Sequence, residues 1–416
     1  MEKALNNTEN ALNNGYEIKE EKDNSAFEQV EAKITSAKQN RLLYVDVARF
    51  LCMFLVVFCH ALGRDVKISS LIYTFHLPAF FVLNGITLKF KENESFGDFL
   101  VKKIKGYVVP VICLGFIEIL LTQLVNQLTN VPVGENFIWN KFADLIGQER
   151  EYTIWFVACL FTTDVLFYSI CKLVKGNLFG ITFFVALTLY LAIFFNKKLP
   201  TRSMFWNFDV ALFGVLFVYF GYLFAHKKIE KINRFLLKNR LISLLFGLLL
   251  LGIGLWLGQI NYQKTNLHLE MWARQYKEYY LILPSAVIAS MGIILFSRAV
   301  ENKFFGEVGK TTLIIIAFHQ VFTMPIFNNF VAKAWWKLSF TYADNSGMLY
   351  LFALASSLFS FITLTPLYYL FKWSPFAFMI GKKVPAFYGV KFNKVMLYIK
   401  NFFSKIKLSF NNKKTK

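Results

Sequence analysis

Asp46, Arg49 and His60 share the first apolar run of this chain. A charged side chain at the centre of a membrane helix costs about 2.5–3.5 kcal/mol on insertion scales, so such residues point to function. Eleven positions separate Arg49 from His60, which on a helix is three turns plus about 20° and a rise of about 16 Å. Both side chains therefore leave the same face, one near each end. Asp46 stands three residues before Arg49 and can pair with it. A histidine titrates near neutral pH, so it suits a general base or a covalent carrier of a transferred group. A guanidinium grips phosphate or carboxylate with two parallel hydrogen bonds. The plainer reading is an ion pair near a helix end and an interfacial histidine.

The second apolar run adds His76 within Thr74-Phe75-His76-Leu77-Pro78, followed by Asn84-Gly85. Pro78 cannot close the helical hydrogen bond to the carbonyl four residues back, so it predicts a kink that admits a polar group. Lys102, Lys103 and Lys105 precede Pro110 and could hold phosphate as point charges; ordinary basic bias beside a membrane explains them as well. Glu118, Asp164 and Asp209 lie inside later runs, where pocket lining and helix-packing hydrogen bonds are both open. The segment 128–152, with Trp139, Glu149, Glu151 and Tyr152, mixes aromatics with acids, as sugar-binding surfaces and interfacial belts both do. Gly309-Lys310-Thr311-Thr312 imitates the end of a phosphate-binding loop, but Phe304 stands where the leading glycine belongs.

These residues need a scaffold, and the composition supplies one. The 416 residues are 56% hydrophobic, 18% aromatic and 17% charged, with 48 Phe. Soluble domains carry about 25% charged residues, and the mean hydropathy is +0.44. An all-α polytopic membrane protein follows. Ten apolar runs approach spanning length: 42–62, 68–88, 106–127, 153–171, 178–196, 208–225, 241–258, 279–297, 311–331 and 347–371. Residues 1–40 predict a flexible polar cytoplasmic tail, 41–371 the ten-helix domain, and 372–416 a basic, amphipathic cytoplasmic tail.

The net charge of +20 is spread between the runs and through the tail, which excludes the contiguous basic face of a nucleic-acid binder. With both termini cytoplasmic, the four inner loops hold sixteen Lys/Arg, and the five outer ones hold twelve over more residues in all. Basic loops against anionic lipid account for the excess. The five cysteines lie in or beside apolar runs with no metal-ligand spacing. No metal and no permanently bound cofactor is expected.

The stretch from Arg41 to Gly85 resembles the opening of the membrane acyltransferase-3 family, particularly its fucose 4-O-acetylase-like branch. That family is marked by an Arg, ten residues and a His in its first helix, here Arg49 to His60, with Asp46 three residues before. Ile72-Tyr73-Thr74-Phe75-His76-Leu77-Pro78 and Asn84-Gly85 are similar to its second helix, where Ser-Gly is commoner. Trp155-Phe156 resembles a pair opening its fourth helix, and Gly309 with Ala317-Phe318-His319 resembles its ninth. Lysines stand before Pro110 where the family often has arginines. The resemblance spans about 42–371.

It implies transfer of an acyl group, usually acetyl from acetyl-CoA, to a hydroxyl of a cell-surface glycan or its lipid-linked precursor in the bacterial cytoplasmic membrane. Arg49, Lys102, Lys103 and Lys105 would then meet the donor's nucleotide end. His60, with Arg49 and Asp46, would perform the transfer as general base or acyl carrier. His76, Asn84, Trp155 and His319 would line the substrate pocket, His319 being placed in the inner half of its span. A non-enzymatic transporter or flippase of such glycans is the alternative. Transporters often carry internal repeats, and no convincing repeat of the first five runs appears in the last five.

Overall fold

The computed structural model describes residues 42–63, 67–128, 131–132, 134–148, 150, 153–198, 204–226, 229–329, 346–385 and 388. The tail at 1–40, the basic stretch 391–416, and Glu149, Glu151 and Tyr152 lie outside the described residues. The helices from Tyr44 onward form a single unit. Among the described residues nine helices are long and apolar enough to cross a bilayer, and a bent pair makes up to ten. The chain is a multi-pass membrane protein.

The first span is α1 (Leu43–Leu62). The second breaks into α2 (Lys67–Tyr73) and α3 (His76–Thr87). The break falls at Thr74–Phe75, where Pro78 has no N–H to offer the Thr74 carbonyl. A third helix, α4, runs from Phe96 to Leu128, starting ten residues earlier than the apolar run predicts. Ser95 explains the early start. Its hydroxyl accepts from the Asp98 amide at 3.0 Å and donates to the Asp98 carboxylate at 2.8 Å, a side-chain N-cap that begins the helix in polar sequence. The three lysines therefore ride on α4, around a π-turn at Ile104–Val108.

After a short α5 (Phe137–Gly147) come α6 (Trp155–Leu173), α7 (Leu178–Lys198) and α8 (Phe208–Ala225). The amphipathic α9 (Glu230–Lys238) leads into α10 (Arg240–Thr265) and α11 (Tyr279–Ala299). The predicted span at 311–331 is instead the bent pair α12 (Lys303–Gly309) and α13 (Thr312–Asn329), which meet at 50°. The last span is α14 (Ser346–Lys372).

Close helix contacts use small residues, since lipid gives no hydrophobic drive for helices to associate. A Cβ on Gly85 would sit 2.0 Å from the Val218 carbonyl oxygen, and one on Gly221 would sit 1.9 Å from that of Val82. These two glycines let α3 and α8 cross backbone to backbone. Peripheral helices carry the surplus aromatics: Phe179, Phe183, Tyr190 and Phe194 on α7 are all exposed, as a lipid-facing surface requires.

Candidate active site

The structure gathers polar groups at the two ends of α1, and the ends differ in kind. At the far end His60 faces His319, with Nδ1 2.8 Å from the Nε2 of His319. The rings lie nearly parallel, 7° apart, with centroids at 5.0 Å. Packing of α1 against α12 and α14 makes this possible. Phe50 stacks on Phe305 at 4.7 Å and meets Phe361 edge-on at 5.5 Å. Gly309 lies against the Asp46 carbonyl, where any Cβ would come within 1.9 Å of the oxygen.

His319 therefore does not sit in the inner half of its span. The helical segment starts at Lys303, sixteen residues before it, much as α1 starts seventeen residues before His60. Polar residues in α12 hide that first turn from a hydropathy reading.

Backbone carbonyls fix the proton on His319, and that orients His60. His319 Nδ1 lies 2.8 Å from the Ile315 carbonyl and 3.1 Å from that of Ile316, and carbonyls only accept. In the neutral ring Nδ1 thus carries the proton and Nε2 the lone pair. His60 Nδ1–H donates to that lone pair, which leaves the His60 lone pair on Nε2. Gln320 Nε2 also lies 2.8 Å from His60 Nδ1; exchanging the amide's nitrogen and oxygen would let Gln320 accept the same proton. The pair is an imidazole held in one tautomer by a second imidazole, itself held by the backbone. That is the arrangement a general base or nucleophile needs.

Both histidines line a cavity of about 270 Å³, shared with Val56, Tyr73, His76, Leu77, Arg150, Thr153, Trp155, Phe156, Glu270, Trp272, Ile316 and Gln320. His76 is buried and holds the Ile72 carbonyl through Nδ1 at 2.8 Å. Of the residues that sequence reading groups into the pocket, His76, Trp155 and His319 come together with His60. Asn84 does not. It sits lower in the bundle and donates to Asp164 at 2.5 Å.

Glu118 and Asp209 act one step behind the cavity wall. Glu118 accepts from the Thr153 amide at 3.1 Å and bonds its hydroxyl at 2.9 Å, which fixes Thr153 in the lining. Asp209 accepts from Arg150 Nη2 at 2.7 Å and pairs with Arg274 at 3.2 Å. Arg150, Thr153, Glu270, Trp272 and Gln320 are the polar and indole-bearing lining residues that sequence reading misses. The only cue was the mixture of charge and indole in the loops before α6 and α11.

At the near end of α1, Arg49 Nη1 donates to Asp46 at 2.8 Å, the carboxylate buried and the guanidinium partly exposed. The three lysines diverge. Lys102 turns to Glu94, Lys103 pairs with the buried Asp164, and Lys105 stays exposed. Lys103 also lies over the Phe99 and Tyr107 rings at 5.4 and 5.2 Å, and Tyr107 donates to Asn84 at 3.3 Å. Asn84, Lys103, Tyr107 and Asp164 thus form one polar knot around the buried Asp164.

A family model for an acyltransferase domain, acyltransferase-3, matches residues 42–365. The chain belongs to this family. It is a membrane O-acyltransferase, and membership sets the non-enzymatic alternative aside. The matched region holds both ends of α1, the whole cavity and the polar knot. No curated protein and no solved structure is similar enough to the chain to count as a match.

Proposed function

We propose that the protein moves an acyl group, in the first place acetyl, from cytoplasmic acyl-CoA to a hydroxyl of a surface glycan or its lipid-linked precursor. It would work in a bacterial cytoplasmic membrane with both termini inside, as the fucose 4-O-acetylase-like resemblance implies. The observation that carries this reading is the His60–His319 pair in a polar, aromatic cavity. The cavity lies at the end of the bundle opposite Arg49. The excess of Lys/Arg in loops at the Arg49 end supports placing that end in the cytoplasm, where acyl-CoA is made.

His60 Nε2 takes the proton of the acceptor hydroxyl as its oxygen attacks the thioester carbonyl, or first receives the acyl group itself; the C–S bond breaks and CoA leaves as thiol. His319 shares the positive charge that builds on His60 and keeps its ring in place. Arg49, oriented by Asp46, meets a phosphate or the pantetheine arm of the donor. Lys105, and Lys102 once it leaves Glu94, add positive charge for the nucleotide. Lys103 is already committed to Asp164, so its part is structural.

Surface glycans from cells with and without the gene, released and weighed by mass spectrometry, test the reaction. Acetyl mass increments that vanish with the gene are expected. Identical glycans in both strains overturn the reading.

A further inference from the structure

Glu118, within α4, is a fully buried carboxyl group whose partners lie on a single residue. Its Oε1 meets the Thr153 amide at 3.1 Å and the Thr153 hydroxyl at 2.9 Å, and among the described residues Oε2 has no hydrogen-bond partner. No Lys, Arg or His among the described residues pairs with it. An isolated ionised carboxylate is too costly to bury, so such a group takes up a proton instead.

The Thr153 hydroxyl requires the same state. It has one hydrogen and two oxygens in reach, Glu118 Oε1 and the Ala317 carbonyl at 3.2 Å. A carbonyl only accepts. Both hydrogen bonds form together when Glu118 donates its own proton to Thr153 and Thr153 donates onward to Ala317. An ionised Glu118 would draw the hydroxyl proton to itself and leave the Ala317 carbonyl without it.

The state of Glu118 sets what Thr153 can offer a ligand. Thr153 is half-buried and lines the cavity with His60, and Ala317 stands two residues before His319. Beside an ionised Glu118 the hydroxyl has only a lone pair to present. Beside a protonated Glu118 it has a proton. That proton now rests in a bond to Ala317 longer than the usual O–H···O separation of about 2.7–2.8 Å, so a better acceptor in the cavity can take it.

We propose that Glu118 is protonated at neutral pH and positions Thr153 as the hydrogen-bond donor to the carbonyl oxygen of the acyl group. As the attacking atom adds to the carbonyl carbon, the π electron pair moves onto that oxygen. The Thr153 O–H, turned from Ala317, stabilises the charge there. The pair returns to the carbonyl when the C–S bond breaks and its electrons leave with CoA. Thr153 and Glu118 keep their protons throughout. This rests on the acyltransferase reading of the same cavity.

Infrared difference spectra of the full-length protein in vesicles, parent minus Glu118→Gln at pH 7, should show the carbonyl band of a protonated carboxyl group. Saturating acetonyl-CoA, in which a ketone replaces the thioester, should shift that band as the Thr153 proton leaves Ala317. A missing band, or one that acetonyl-CoA leaves in place, overturns the proposal. With acetyl-CoA and alkali-deacylated surface glycan of the host cells as substrates, Thr153→Val should turn over about 10²–10³-fold more slowly. Both substrate requirements should stay near those of the parent, and Thr153→Ser should match it. Turnover of Thr153→Val at the parent rate, or a loss confined to one substrate requirement, removes Thr153 from the reaction. An inactive His60→Ala beside a fully active Thr153→Val leaves the acyltransferase standing and removes only this donor. His60→Ala at the parent rate removes both.

Discussion

The two ends of α1 carry similar residue types and treat them oppositely. Near Arg49 the charges consume one another: Arg49 with Asp46, Lys102 with Glu94, Lys103 with Asp164, Arg298 with Glu301 and Lys310 with Glu307. Near His60, Arg150 and Arg274 also pair with Asp209, but a cavity lies beside them, and among the described residues Arg150, Asp209 and Glu118 each keep a buried atom without a hydrogen-bond partner. A closed network of ion pairs stabilises and orients helices. Unused hydrogen-bonding capacity around a cavity prepares for a ligand. The difference supports the proposal that the chemistry belongs to the His60 end and that the Arg49 end is a frame whose pairs a donor would join or displace.

The sharpest way to break that contrast is at Lys103. If its pair is part of the frame, Lys103→Met leaves Asp164 charged and buried, at about 3–5 kcal/mol. A large fall in Tm, followed by tryptophan fluorescence in detergent, is expected. Adding Asp164→Asn should restore most of it, because the charge then goes with its partner. Unchanged stability with a raised acetyl-CoA requirement would make Lys103 a phosphate ligand after all.

A smaller effect separates frame from donor site at Arg49. Arg49→Lys keeps the charge beside Asp46, so assembly should be preserved. The lost fork should raise the acetyl-CoA requirement about ten- to a hundredfold with acceptor saturating. A shift in acceptor dependence alone would move Arg49 out of the donor path. The smallest effect belongs to Lys102, whose side chain is 66% exposed. Exposed ion pairs contribute little, so Lys102→Ala should leave Tm where it was. A clear fall would show that the surface pairs also hold the frame.

Much of this architecture was legible in the sequence, for a physical reason. Hydrocarbon demands long apolar helices, and a rigid helix converts the spacing from Arg49 to His60 directly into a shared face. What was not legible depends on contacts between segments. His319 reaches His60 only because α12 bends into α13 and Gly309 docks on the backbone at Asp46, and hydropathy cannot see a start as polar as Lys303–Gly309. The family resemblance implied that Asn84 lines the pocket with His76. Eight residues along α3 carry it more than two turns away, to Asp164. Arg150 and Glu270 come from loops, where nothing periodic marks their direction.

The central claim is that acyl transfer takes place on the His60–His319 pair. The direct measurement is the initial rate of acyl transfer from acetyl-CoA to purified glycan by the full-length protein in vesicles, for the parent and for His60→Ala. Elution volume and Tm would be checked to confirm assembly. The account predicts a fall of about 10²–10⁴-fold, the usual contribution of a general base, in a normally assembled protein. Transfer at the parent rate in an assembled His60→Ala variant would contradict it.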